Sequence, residues 1–308
     1  MRSPRGLLVL FWLSMASGPM LAGCHARGDA AAWRASFDTF HQQRLESIVG
    51  EDGWITLVGR LWLSPGENRF GADDHNQLVL PVDRAPAFAG TITLTDGRLH
   101  AVIAPGVRVT VDGQPVTELD LADDRDGKPT VMTLGSLTMR VIKRQDRYAL
   151  RVKDRAHPAR QHFPGLTYYP LDPSLRVTAT LEPAPPGRTV PIVNVLGQVE
   201  PMPSPGTLRF SLQGVEYTLD AVVEDGDPAL FILFRDETAG DGTYPSGRFL
   251  YAPPPAGDGP GKGTTELDFN RAFNPPCAFT AFATCPVPPR QNHLHRRIEA
   301  GERYTGTH

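Results

Sequence analysis

The spacing of apolar positions changes near residue 53, dividing the chain into a helical start and a β-rich remainder. Between residues 32 and 49, Trp33, Phe37, Phe40 and Ile48 recur three or four residues apart, with Arg44 on the same stripe and polar residues between. That spacing predicts an amphipathic helix with an aromatic face to bury, and Gly50 and Gly53 end it. Beyond them the period shortens. Residues 54–58 and 60–63 read as strands, followed by a Pro65-Gly66 turn. Further β-like segments cover 77–80, 90–94, 107–111, 136–142 and 148–152, with the hairpin dipeptides Asp96-Gly97 and Asp112-Gly113 among them.

Pro-rich breaks at 183–186 and 201–205 separate later strands at 176–180, 207–212 and 215–223. Residues 229–234 are continuously apolar and read as a core strand, with another strand at 248–251 and a Pro/Gly loop over 253–264. Asn292 is placed to cap a short closing helix carrying Leu294 and Ile298, with Gly301 just past its end. The prediction is a mainly β protein: β-sandwich or barrel-like units with an N-terminal amphipathic helix and a short C-terminal helix. A composition of 30 Gly, 30 Pro and 40% hydrophobic residues agrees with many short strands and turns.

The first residues add a location. Arg2 and Arg5 precede an apolar run over 7–12 that is too short to span a bilayer, and Leu21-Ala22-Gly23-Cys24 follows. This pattern resembles the bacterial lipoprotein signal, in which the leader is removed and the cysteine carries lipid, palmitate included. The resemblance implies a signal peptide over 1–23, lipidation at Cys24 and a small polar tether over 24–31. It places the protein in the cell envelope, anchored to a membrane and facing the periplasm or exterior; the outer membrane is favoured if the cell is Gram-negative. Two units then follow, 32–165 and 166–308. The net charge of −3 becomes more negative once Arg2 and Arg5 are removed, which argues against a nucleic-acid partner. With Cys24 lipidated, Cys277 and Cys285 remain as an even pair in an oxidising compartment, the pattern of a structural disulfide.

Two family resemblances extend this reading. Gly53-Trp54, Leu61-Trp62-Leu63, Pro65-Gly66-Glu67-Asn68, Phe70-Gly71 and Phe163-Pro164-Gly165-Leu166 resemble the bacterial domain-of-unknown-function family 1684. So do Asp236-Glu237-Thr238-Ala239-Gly240, Thr243-Tyr244, Gly247-Arg248-Phe249-Leu250 and the run from Leu267-Asp268-Phe269-Asn270-Arg271 to Pro276-Cys277-Ala278-Phe279. Thr284-Cys285-Pro286, Pro288-Pro289 and Asn292 complete the match. That family implies no chemistry. Over residues 60–143, the order Pro65-Gly66, Asn68, Phe70-Gly71, Asn76-Gln77-Leu78, Val111-Asp112-Gly113 and Leu134-Gly135 resembles forkhead-associated domains, β-sandwiches that bind phosphothreonine. Arg69 stands near an expected position. The Ser-x-x-His element that would follow Leu80 is absent, so the resemblance implies a related sandwich without phosphopeptide binding.

The polar residues between Asp236 and Arg271 are the candidate chemistry. Asp236, Thr238 and Tyr244 lie in a loop between strands, where binding groups commonly sit. Arg248 has the geometry to hold a carboxylate or phosphate by paired hydrogen bonds, with Asp268, Asn270 and Arg271 supplying further polar groups. The alternative at the same residues is an Asp–Arg pair that braces a long hairpin. Gly261-Lys262-Gly263 is not a phosphate-binding loop, Ser246 lacks a hydrolase elbow, and His293 with His295 has no third ligand. No catalytic residue is assigned, and no metal or cofactor is expected. Three roles remain: binding of a small polar or anionic ligand or an envelope partner; a cofactor-free enzyme with a carboxylate base and Arg248 as substrate anchor; and a purely structural role.

Overall fold

The computed structural model describes residues 20–257 and 263–306, with side chains from Asp29 onward. Residues 1–19 of the expected 1–23 signal peptide, and the side chain of Cys24, therefore lie outside the described residues. Two compact units cover residues 1–42 and 43–308. Helix α1 spans Met20–Val49, starting earlier than the apolar stripe predicts and ending where Gly50 follows. Within its first unit, Trp33 and Phe37 meet edge to face at 5.3 Å, as do Phe37 and Phe40 at 6.1 Å. Among the described residues, no helix is long and apolar enough to cross a membrane.

The second unit is mainly β, as predicted. Its first half is a sandwich. One sheet has the order β1 (Leu57–Trp62), β11 (Arg147–Asp154), β10 (Leu137–Arg144), β9 (Met132–Leu134), β6 (Val109–Val111) and β7 (Gln114–Val116). The other has the order β3 (Leu78–Val79), β2 (Gly66–Gly71), β4 (Gly90–Thr95), β5 (Arg98–Ile103) and β8 (Glu118–Asp120). Phe70, Ile92, Met132, Leu137, Met139, Val141 and Leu150 fill the space between them. Asp96 and Gly97 close β4–β5 with φ of 50° and 78°, and Asp112-Gly113 does the same for β6–β7. Both hairpins need two left-handed residues, which Asp-Gly supplies.

A second core lies under the four-stranded sheet β16 (Val215–Ala221), β15 (Gly206–Leu212), β12 (Arg176–Pro183) and β19 (Gly263–Asp268). Two hairpins complete this half: β13 (Thr189–Val193) with β14 (Val199–Pro203), and β17 (Leu230–Phe234) with β18 (Arg248–Ala252).

Three expectations are corrected. Residues 54–56 form a 3-10 turn ahead of β1 rather than a strand. Pro201 and Pro203 lie inside β14 rather than in a break, which is possible because β14 pairs on one side only. The short C-terminal helix is absent: only a 3-10 turn at Arg290–Asn292 forms. Leu294 N–H donates to the Arg235 carbonyl at 2.8 Å, and Ile298 N–H to the Asp236 carboxylate at 2.8 Å. The Asn292 side chain bonds Asp220 and Leu233 instead of capping anything. Leu294 and Ile298 are buried as the spacing implied, but by an extended segment.

Candidate functional site

β17 is buried on both faces, which is why its sequence is apolar without interruption. Ile232 and Phe234 face the second core, while Phe231 and Leu233 face a third cluster with Val190, Ile192 and Phe249. Phe234 pairs with Arg248 across the hairpin. By strand alternation Arg248 therefore shares the inward face of Leu250 and Ala252, and it is 0% exposed. Arg248 Nη2 donates to Asp236 at 3.0 Å and to the Ile298 carbonyl at 2.9 Å, and Nη1 donates to the Ala300 carbonyl. Its guanidinium lies 5.1 Å from the Phe234 ring centre. Burial pushes its pKa down. The second carboxylate oxygen of Asp236 accepts from Thr238 Oγ1 and from Ile298 N–H, each at 2.8 Å. Of the two arrangements open to these residues, the structure has the brace.

The other candidates are also committed to the fold. Thr238, fully buried, bonds the Thr243 hydroxyl at 2.8 Å. Asp268 caps a 3-10 turn by accepting from Asn270 N–H at 3.1 Å, and Asn270 clamps the backbone of Asp172 through 2.8 and 2.9 Å bonds. Arg271 stands 3.7 Å from Asp268. Tyr244 donates to the Cys277 carbonyl at 3.2 Å and packs edge to face on Tyr304. Cys277 and Cys285 form the expected disulfide, eight residues apart. Replacing both with serine is expected to cost about 2.5 kcal/mol by the loop-closure argument, read as a lower urea midpoint.

A different group of residues meets a cavity. In register, Arg60 of β1, Arg151 of β11 and Arg140 of β10 lie directly opposite one another, on the sheet face turned away from the first core. Arg144, Arg147 and Lys153 share that face by alternation. Like charges directly opposite on neighbouring strands destabilise a sheet. Arg151 is only 6% exposed, and its Nε has no hydrogen-bond partner. Burial pushes its pKa down to about 10, with Arg144 and Arg140 acting in the same direction and Asp124 opposing.

Arg151 lines a cavity of about 710 Å³ whose lining also includes the aromatic residues Phe231, Phe249, Tyr251 and Phe273. Phe231 stacks on Tyr251 at 4.9 Å, Tyr251 on Phe273 at 6.0 Å, and Phe249 meets Phe231 edge-on at 5.0 Å. The Tyr251 hydroxyl donates to Glu224 at 2.6 Å, and burial pushes its pKa up. Arg144, also lining the cavity, pairs with Asp124 at 2.9 Å. The sequence carried one sign of this site, the cations spaced along one strand face over 140–153, but such spacing alone reads as a solvated face.

Comparison with known proteins places the second half of the chain. Residues 161–303 match the model of a protein family of unknown function, DUF1684. An uncharacterised protein of Haloarcula marismortui, solved by NMR, is 32% identical over 47% of this chain and 78% of its own, with a TM-score of 0.39. The chain belongs to the DUF1684 family. No curated protein matches it. Solved structures that resemble it also include the FhaA FHA domain bound to the intracellular domain of Rv3910, at 22% identity over 30% of this chain and 84% of that one. Another is an FHA domain of a Mycobacterium tuberculosis ABC transporter, at 24% over 29% and 77%; both have TM-scores of 0.22. In DUF1684 terms the two groups of residues separate cleanly. Asp236, Arg248, Asp268 and Asn270 lie inside the matched range, whereas Arg60, Arg140, Arg151 and Lys153 precede it.

Proposed function

We propose that this DUF1684 protein binds a small anionic ligand with an apolar or aromatic portion, in the cavity between the Arg151 face and the Phe231–Tyr251 wall. The observation that carries the reading is Arg151 itself. A buried guanidinium without a pairing partner costs free energy unless an anion joins it, and this one lines a cavity large enough for such a molecule. Ligand sites commonly combine an apolar wall with a few polar groups that fix orientation. Asp236 and Arg248 serve this reading from behind, by anchoring the hairpin that carries the aromatic wall.

A thermal-shift panel of aryl and alkyl carboxylates and phosphates tests it. At least one organic anion is expected to raise the melting temperature of the protein, and the shift is expected to vanish in a folded Arg151→Met variant. A panel without any shift, or a shift that Arg151→Met leaves intact, refutes the cavity reading.

The same proposal places the protein in the cell envelope, held to a membrane through lipid on Cys24. Cys24→Ser is expected to move it from the membrane fraction to the soluble fraction. Unchanged fractionation refutes the lipid anchor.

A further inference from the structure

Arg151 lines a second, smaller cavity of about 230 Å³, together with Thr138, Arg140, Lys153 and Arg155; the carboxylate in its lining is Asp52. Register explains the gathering. Thr138 pairs with Lys153 and Arg140 with Arg151 across β10–β11, so three cations project from two adjacent strands about 5 Å apart. Arg155 follows β11 directly, and its buried Nε has no hydrogen-bond partner, as for Arg151. Lys153 Nζ donates to the Asp52 carbonyl, a neutral group. Lys153 Nζ and the Arg151 guanidinium stand 5.9 and 6.0 Å from the ring centre of Trp54, which lines the larger cavity.

Four cations against one lining carboxylate leave an excess that a single carboxylate group would not neutralise. Phosphoryl oxygens suit such a bed, because Arg forks bind them bidentately and Lys binds them as a point charge. We propose that this smaller cavity is a second anion subsite, and that the ligand carries two linked phosphoryl groups, one against each side of Arg151. The proposal rests on the cavity reading above. It adds that the ligand is a diphosphate in chemistry, with its organic portion toward the aromatic wall.

Calorimetric titration with inorganic orthophosphate and pyrophosphate tests it. Pyrophosphate is expected to bind the wild-type protein about tenfold tighter than orthophosphate, or more. The double variant Arg140→Gln/Lys153→Gln, which relieves repulsion and so keeps the fold, is expected to lose that preference. Arg151→Met is expected to lose pyrophosphate binding altogether. Pyrophosphate binding that is no tighter than orthophosphate binding, or a preference that survives the double variant, overturns the second subsite. If organic monoanions still shift the melting temperature through Arg151, the cavity reading stands alone. If they do not, both fall.

Discussion

Asp236→Ala is expected to lower the unfolding free energy by about 3–5 kcal/mol, the cost of leaving a buried charge without its partner. Arg248 is 0% exposed and Asp236 is 6% exposed, so water cannot readily replace the lost carboxylate. The variant also strands the Ile298 N–H, which donates to the second oxygen of Asp236, and an unsatisfied buried donor adds to the loss. Urea unfolding would read it as a lower midpoint at an unchanged slope. The double variant Asp236→Leu/Arg248→Met removes both charges and keeps most of the volume. It is expected to recover much of the loss, because apolar replacement of a whole buried pair is often neutral or better. A loss below about 1 kcal/mol in Asp236→Ala would mean that the pair behaves as an exposed one.

The inward turn of Arg248 is set by tertiary burial and not by local spacing. The Arg248-Phe249-Leu250-Tyr251-Ala252 strand was legible as β, but apolar residues fall on both of its faces. No alternation remained to say that Arg248 turns toward Leu250 and into the core. Its choice between brace and ligand anchor was settled by tertiary burial. The same limit applies to Leu294 and Ile298. Their spacing fits one face of a helix, yet Arg235 and Asp236 take their backbone donors, and those partners lie more than fifty residues away in sequence.

The cationic face was hidden for the opposite reason. The alternation over Thr138, Arg140 and Arg144, and over Arg147, Arg151 and Lys153, is regular enough to predict both strands. It also predicts a face in water. What changes its meaning is the second half of the chain laid over it: Ile142 and Ala149, on the same face, are 0% exposed. A solvated row of arginines costs little, whereas a covered row repels itself in a poorly screened space. Local spacing therefore gave the elements and the turn residues. The charge of the cavity emerged only when the two halves met.

Arg151→Met is expected to change stability and affinity in opposite directions. Without ligand, the variant is expected to be more stable than the wild type by about 1–3 kcal/mol, since it removes a desolvated, unpaired charge and keeps an apolar stem of similar length. The sign follows from the titration. The folded state holds the Arg151 pKa at about 10, below its ordinary 12.5, so folding disfavours the charged form at neutral pH and deleting the charge relieves that penalty. With ligand the order reverses. Losing one partner of a buried charge-assisted contact costs about 2–5 kcal/mol of binding, roughly thirtyfold or more in Kd. Opposite changes in stability and affinity are the mark of a residue retained for binding at the expense of the fold. Parallel losses of both would make Arg151 one more brace, like Arg248, and would leave the cavity without its anion anchor.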